Sequence, residues 1–240
     1  MKIITIASVK GGVGKSTLSW ALSSLLAGKI LAIDCDPQGT LTAALTDSIR
    51  PGSFELLTRA APLQSVIHSS LPAYENLKVI PSSPLLSGIE AATASDLSRQ
   101  YLVTEALENF SDSDYVVIDT PGTLGVLSTA PIVASDVVVT PISCSPAAFD
   151  TLSEFESRLS SIRKRLNPHF KWFIAATLYD PRQRLDQDLL SAIQDRYPEQ
   201  LLYPPIRKRI SVSEDMAARS PCGSEDFTQF TQNLKGRIHL

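Results

Sequence analysis

Two lysines, three glycines and two hydroxyl residues are packed into one short stretch, Lys10-Gly11-Gly12-Val13-Gly14-Lys15-Ser16-Thr17. Glycines let a backbone curl around an anion and aim several N–H groups at it. An apolar run, Lys2–Val9, precedes the stretch and a helix-like segment, Lys15–Ala27, follows it. The helix N-terminus then adds a dipole favourable to negative charge. In that setting Gly11, Gly12, Val13, Gly14, Lys15, Ser16 and Thr17 form a cradle for a phosphate chain. Lys15 would reach the β- and γ-phosphates, the Ser16 hydroxyl would ligate Mg²⁺, and Thr17 would donate to the α-phosphate.

Three carboxylates complete the chemistry. Ile33-Asp34-Cys35-Asp36-Pro37-Gln38-Gly39 places Asp34 and Asp36 two residues apart at a strand end, so both face one way, toward the crevice where open α/β sheets bind ligands. The same string is good turn chemistry, but its place after the phosphate loop favours a catalytic reading. The pair could hold metal-bound waters or orient an attacking water, since phosphoryl transfer depends on positioning more than on covalent chemistry. Farther on, the apolar run Tyr115–Asp119 ends in a third carboxylate suited to holding Mg²⁺ through water. Thr120-Pro121-Gly122 then supplies a flexible turn able to sense a γ-phosphate.

Those residues need a frame that brings strand ends together. Apolar, non-alternating runs at Lys2–Val9, Ile30–Asp34, Leu77–Pro81, Tyr115–Asp119, Asp136–Ile142, Trp172–Leu178 and Leu201–Tyr203 read as strands covered on both faces. Helical stretches at Lys15–Ala27, Ala94–Phe110, Pro146–Leu166 and Leu185–Tyr197 alternate with them. Alternation of this kind predicts an α/β fold: a doubly wound, mostly parallel sheet of about seven to eight strands flanked by helices. Residues 40–75 read as a short helical or loop excursion. No linker divides the 240 residues, so a single domain, 1–240, is expected. An apolar stripe of Phe227, Phe230, Leu234 and Ile238 at helical spacing predicts a C-terminal helix packed on the core.

Composition excludes several classes. Hydrophobic residues make up 43% and charged residues 20%, which argues against a disordered or fibrous chain. No apolar stretch is long enough to span a bilayer, and the N-terminal run is too short for a secretory signal, so a cytoplasmic protein is expected, with no membrane partner. Cys35, Cys144 and Cys222 are too few and too scattered for a disulfide framework or a four-ligand zinc site. The net charge of −3 hides an asymmetry. Residues 1–150 hold 8 basic against 14 acidic side chains, and residues 151–240 hold 14 against 11. A basic C-terminal third hints at a surface facing a polyanion.

The phosphate loop departs from the common G-x-x-x-x-G-K-[ST] pattern: Val9 stands at the first position and an extra lysine, Lys10, opens the loop. It thereby resembles the deviant Walker A group of P-loop NTPases, which includes ParA/Soj partition ATPases, MinD and the nitrogenase iron protein. The Asp34–Gly39 string resembles the DxDPQG segment of the ParA branch, and Asp119-Thr120-Pro121-Gly122 its DTPG segment. Ala134-Ser135-Asp136, Leu178–Leu185 and Ile206–Glu214 match looser ParA patterns. The three cysteines do not sit in the cluster-ligand contexts of the nitrogenase protein.

Resemblance to the ParA/Soj family implies an ATPase acting in plasmid or chromosome segregation, with ATP and Mg²⁺ as cofactors. It implies that Lys10 reaches a partner's nucleotide across an ATP sandwich homodimer, that Lys15 and Asp36 serve catalysis, with Asp36 positioning the water, and that Ser16, Asp34 and Asp119 form the metal shell. It further implies sequence-independent DNA contacts from Arg182, Lys208 and Arg209, and release by slow hydrolysis stimulated by a centromere-binding, ParB-type adaptor. Arg184 and Arg207 are additional basic groups that no motif requires. The first strand opens at the second residue, so no N-terminal helix-turn-helix domain is expected, and the location implied is cytoplasmic and nucleoid-associated. A MinD-like membrane-associated positioning ATPase is the alternative, and a metabolic P-loop enzyme acting on a small molecule a third reading.

Overall fold

The computed structural model describes residues 1–238. The chain starts with β1 (Lys2–Ile6), passes through the glycine loop into α1 (Lys15–Leu25), and continues to β2 (Ile30–Asp34). The 40–75 excursion holds three short helices, α2 (Thr40–Leu45), α3 (Ser53–Leu57) and α4 (Leu63–Val66), and a two-residue strand, β3 (His68–Ser69). Then come β4 (Leu77–Ile80), α5 (Ile89–Ala92), α6 (Leu102–Leu107) and β5 (Tyr115–Asp119). The second half runs α7 (Val126–Ala134), β6 (Val137–Ser143), α8 (Ala148–Arg165), β7 (Lys171–Thr177), α9 (Arg184–Arg196), β8 (Leu201–Leu202), α10 (Ile210–Ala217) and α11 (Glu225–Ile238).

The eight strands form one sheet in the order β3-β4-β2-β5-β1-β6-β7-β8. All neighbours are parallel except the edge strand β3, which runs antiparallel to β4. This is the doubly wound sheet expected from the alternating runs. Successive residues of each strand serve opposite faces: Ile4, Val117, Val139 and Ala175 join one core with α1 and α11, while Val116, Ile118, Val138 and Ile174 join the cores under α3, α6, α7 and α8. Two-sided coverage explains why these strands read as unbroken apolar runs. Phe227, Phe230, Leu234 and Ile238 of α11 are all buried in the first of those cores, as their spacing predicts. The Trp20 indole N–H donates to the Tyr74 hydroxyl (2.9 Å), whose own proton goes to the Ser220 carbonyl (2.9 Å). That chain of bonds fastens α1 to the 40–75 excursion and to the loop ahead of α11.

Two expectations fail locally. The helix anticipated over Ala94–Phe110 begins only at α6. Asp96 accepts hydrogen bonds from both the backbone N–H and the hydroxyl of Ser98 (2.8 Å each), a local turn that competes with helix. Conversely, α7 is a helix that the apolar pattern does not mark, because Pro131 lies inside it and nearly every residue is buried. Pro131 has no N–H to give the Leu127 carbonyl one turn back, and its own carbonyl is bonded by the Thr5 and Ser135 hydroxyls (3.2 and 2.7 Å), which ties this turn of α7 to β1.

Candidate nucleotide site

Register decides where the chemistry sits. Asp119 stands level with Ile6 of β1 on one side and with Asp34 of β2 on the other. The chain turns to opposite sides of β1 after its first and later crossings, so the C-terminal end of β1 is a topological switch point, where α/β sheets open a crevice. A cavity of about 750 Å³ occupies it, lined by the glycine loop, Lys15–Thr17, Asp36–Gln38, Glu90 and the Pro121–Thr123 turn.

The glycine loop is shaped by backbone that only glycine adopts without strain. Gly12 and Gly14 have φ of 73° and 86°, and no atom occupies the space a Cβ would take at Gly11, Gly12 or Gly14, which leaves the cradle open. Two bonds from outside hold the curve: the Ser8 hydroxyl donates to the Lys10 carbonyl (3.0 Å) and Thr177, at the end of β7, donates to the Val13 carbonyl (2.8 Å). Gly14 caps α1 without any side-chain bond, so the first-turn N–H groups remain directed at the crevice.

The two lysines face different worlds. Lys15 is buried, and its ammonium donates to the Lys10 carbonyl across the loop (3.0 Å). Burial lowers its pKa, while the charges of Asp119 and Asp36 work in the opposite direction. Lys10 is exposed and lies outside the lining of the cavity.

Asp34 and Asp119 are fully buried side by side. Asp34 accepts bonds from the Thr42 N–H and hydroxyl (2.8 and 2.7 Å) and from the Asp36 N–H (3.0 Å). Burial nevertheless raises its pKa. Asp119 accepts from the Ser19 hydroxyl at 2.9 Å, and its Oδ2 has no hydrogen-bond partner among the described residues. Burial first, and then repulsion from Asp34, raise the Asp119 pKa, with the hydroxyls of Ser16 and Ser19 opposing. A buried carboxylate oxygen with no partner, next to a serine hydroxyl at the mouth of an anion cradle, is the donor set that a hard divalent cation such as Mg²⁺ fits. Asp34 differs: its oxygens are taken up by Thr42 and Asp36, so it shapes the turn that aims Asp36. Asp36 itself is half-buried, spends one oxygen on the Gln38 N–H (3.0 Å), and lines the cavity.

The structure also brings together the two basic segments. Tyr179 and Arg207 pair as a parallel bridge, with the Tyr179 N–H donating to the Ile206 carbonyl (3.1 Å) and the Lys208 N–H to the Tyr179 carbonyl (3.0 Å). The turn that carries Arg182 and the stretch that carries Lys208 and Arg209 are therefore joined at Tyr179, beyond the end of β7. Arg182 is strongly exposed and chelates Asp180 (2.8 and 2.9 Å), whose pKa falls in consequence. Arg207 and Arg209 converge on the buried Asp226 of α11, at 2.6 and 3.1 Å. Burial alone would raise the Asp226 carboxyl, and the guanidinium bonds outweigh it and hold it low. A smaller hollow of about 170 Å³, lined by Gly14, Thr17, Thr177, Leu178, Ile206–Ile210 and Phe227, adjoins the main cavity on this side.

Sequence reasoning missed Ser19, Thr42, Glu90 and Asp226. Ser19 lies one helical turn beyond Lys15 and was within reach of periodicity. The other three come from elements whose contacts with the site only the tertiary fold creates.

Comparison with known proteins agrees with the geometry. A family profile described as "AAA domain" matches residues 1–172. The chain is 32% identical over 221 residues to the sporulation initiation inhibitor protein Soj of Bacillus subtilis, covering 89% of this chain and 87% of that one. It is 29% identical to the chromosome partitioning protein ParA of Myxococcus xanthus, over 89% of this chain and 77% of that protein. Among solved structures, the putative plasmid partition protein of Borrelia burgdorferi bound to AMPPNP superposes with a TM-score of 0.82 at 26% identity, covering 99% of this chain and 98% of that one. Cobyrinic acid a,c-diamide synthase of Mycobacterium smegmatis, with bound ATP analogue and magnesium, gives 0.86 at 27%, covering 100% and 96%. With a phosphate cradle, a buried metal-type carboxylate and these relatives in agreement, the chain belongs to the ParA/Soj family of P-loop partition ATPases.

Proposed function

We propose that this ATPase works as a DNA-partition switch: with ATP and Mg²⁺ it forms a sandwich homodimer that binds non-specific DNA over the nucleoid, and slow hydrolysis, accelerated by a ParB-type adaptor, releases it. The observation that carries the reading is the division of labour between the two loop lysines. Lys15 is buried against its own cradle, whereas Lys10 is exposed at the rim, free to serve a second copy's nucleotide. Gly11–Thr17 would bind the phosphates, Ser16 and Asp119 would hold the metal with Asp34 supporting them, and Asp36 would orient the attacking water. When bound, the metal supplies charge neutralisation at the triphosphate. The small hollow beside Gly14 and Leu178 suits the base. Arg182, Lys208 and Arg209 would contact DNA phosphates, a role that needs only cations on one face.

Hydrolysis in such a scheme resets an association equilibrium between two states. The likeness to a diamide synthase supports a second reading, a ligase acting on a small molecule. That reading requires no ATP-dependent dimer. Lys15→Ala should cut nucleotide affinity by at least about tenfold, the scale of one charge-assisted bond to phosphate, measured by titration with a fluorescent ADP. Undiminished affinity would refute the phosphate-loop role. Asp36→Ala with ATP should elute as a dimer in size exclusion, and a strict monomer would favour the ligase.

A further inference from the structure

The loop that follows Asp119 is held at both ends. At its start the Thr120 hydroxyl donates to the Ile6 carbonyl (2.8 Å), and Gly122 packs so tightly on the phosphate loop that a Cβ there would stand 3.0 Å from Gly11 N. Farther along, the Ser128 hydroxyl donates to the Thr123 carbonyl (2.7 Å) and accepts from the Gly125 N–H (3.2 Å), binding the loop to the first turn of α7. That unit is in turn tied to the opposite wall of the cavity. The Val126 N–H donates to Glu90 Oε1 of α5 at 2.6 Å.

Position 125 is fitted to the same carboxylate. Any Cβ on Gly125 would overlap Glu90 Oε1. The outer side of the loop offers little support, because it faces a second cavity of about 610 Å³, and Leu124 is 41% exposed there. A carboxylate on the wall of a cavity built for a polyanion is unfavourable on charge alone. One cation and one helix end offset it: Arg99 lies 3.5 Å from Glu90 Oε2, and the positive end of the α7 dipole meets Oε1. Such an arrangement makes sense when the acceptor is needed for what it holds.

We infer that Glu90 is a positioning residue for ATP hydrolysis, anchoring Gly125-Val126 so that the Thr120–Thr123 turn is set against the phosphate loop. The inference rests on the nucleotide site proposed above. Glu90 acts through the Val126 N–H and the fit at Gly125, and the reacting phosphate is met by the turn it holds. The 84–101 segment thereby becomes part of the hydrolytic apparatus, although no loop motif marks it.

Steady-state hydrolysis of Mg-ATP by the full chain, alongside binding of fluorescent ADP, tests this. Glu90→Ala should lower kcat about five- to tenfold while KM and ADP affinity stay within about twofold, the signature of misplacement and not of lost binding. Glu90→Gln keeps an acceptor oxygen and should restore most of the rate. Gly125→Ala should lower kcat on its own but add nothing to Glu90→Ala, because both disturb one contact. Wild-type kcat in Glu90→Ala, or Glu90→Gln falling as far as Glu90→Ala, would overturn the inference. If Glu90→Ala does not fold, Gly125→Ala decides, and a wild-type kcat there overturns it too. Failure of the nucleotide site itself would show separately, as intact ADP affinity in Lys15→Ala.

Discussion

Asp119 is expensive to keep charged. It is fully buried, its neighbour in register is another buried carboxylate, and one of its oxygens has no hydrogen-bond partner among the described residues. A folded-state pKa raised above the unfolded value means that the folded protein holds the proton more tightly, so stability is lost as pH rises through the folded value. Asp119→Asn removes that penalty. Without nucleotide or magnesium, the variant should melt above the wild type at pH 8, by about 2–4 °C per kcal/mol relieved for a chain of this size, and the gap should shrink toward pH 5. Differential scanning calorimetry at the two pH values checks it, and a lower melting temperature at pH 8 would contradict the electrostatic account. The same variant should lose Mg-ATP hydrolysis, because the group that costs stability is the one that fits the metal. The residues of this site were legible to different degrees for a physical reason. The Lys10–Thr17 cradle and the aspartates at strand ends are local: a short string fixes both the backbone shape and the chemistry. Thr42, Glu90 and Asp226 act only through contacts made across the fold, and no spacing in the sequence joins them to Asp34, Val126 or Arg207.

At the scale of elements, the strands were the most readable part, because burial on both faces leaves uninterrupted apolar runs. Helices were less so. The 94–110 segment yields to the turn built by Asp96, and α7 hides a proline, a residue that reads as a helix breaker, within an almost wholly buried run. The stripe on α11 announced a packed helix correctly, since its four apolar residues recur at the helical period and the opposite positions are polar. Phe230 is fully buried against α1 and the sheet. Phe230→Ala should cost about 3–5 kcal/mol through lost transfer energy and a residual cavity, read as a lower urea midpoint with an unchanged slope. An unmoved midpoint would mean that α11 contributes nothing to the cooperative core. The phosphate loop is held by Ser8 and Thr177, so the folded fraction of this variant should bind ADP normally.

For the whole molecule, the mean charge is a poor guide and its distribution a better one. The acidic portion contains the site carboxylates, and the basic portion contributes Arg182, Lys208 and Arg209, on two segments that the Tyr179–Arg207 bridge joins. Arg182 is itself strongly exposed and its partner is the half-buried Asp180, a pairing at the surface that salt and a phosphate can both displace. Arg182→Glu should weaken ATP-dependent binding to non-specific DNA several-fold and flatten its salt dependence by about one phosphate contact, with dimerisation intact. An unaltered gel shift would remove Arg182 from the interface. Co-sedimentation with DNA and with liposomes, each with ATP, separates the partition reading from a membrane-positioning one; binding to liposomes alone would reject the former. Among the described residues no helix is long and apolar enough to cross a membrane.

The place of β1 in the sheet has a bearing on how the protein is made. This strand is synthesised before the other seven and carries the phosphate loop at its end, yet its neighbours are β5 and β6, with Lys2 beside Tyr115 and Ile4 beside Val137. Until the ribosome has released residues up to about 143, the strand has no completed place to pair, and the loop has nothing to brace it. Thr177, which also holds the loop, emerges later still. Nascent chains are thus kept from assembling the nucleotide cradle during most of translation, and competence to bind ATP arrives as a late event shared by both halves of the chain.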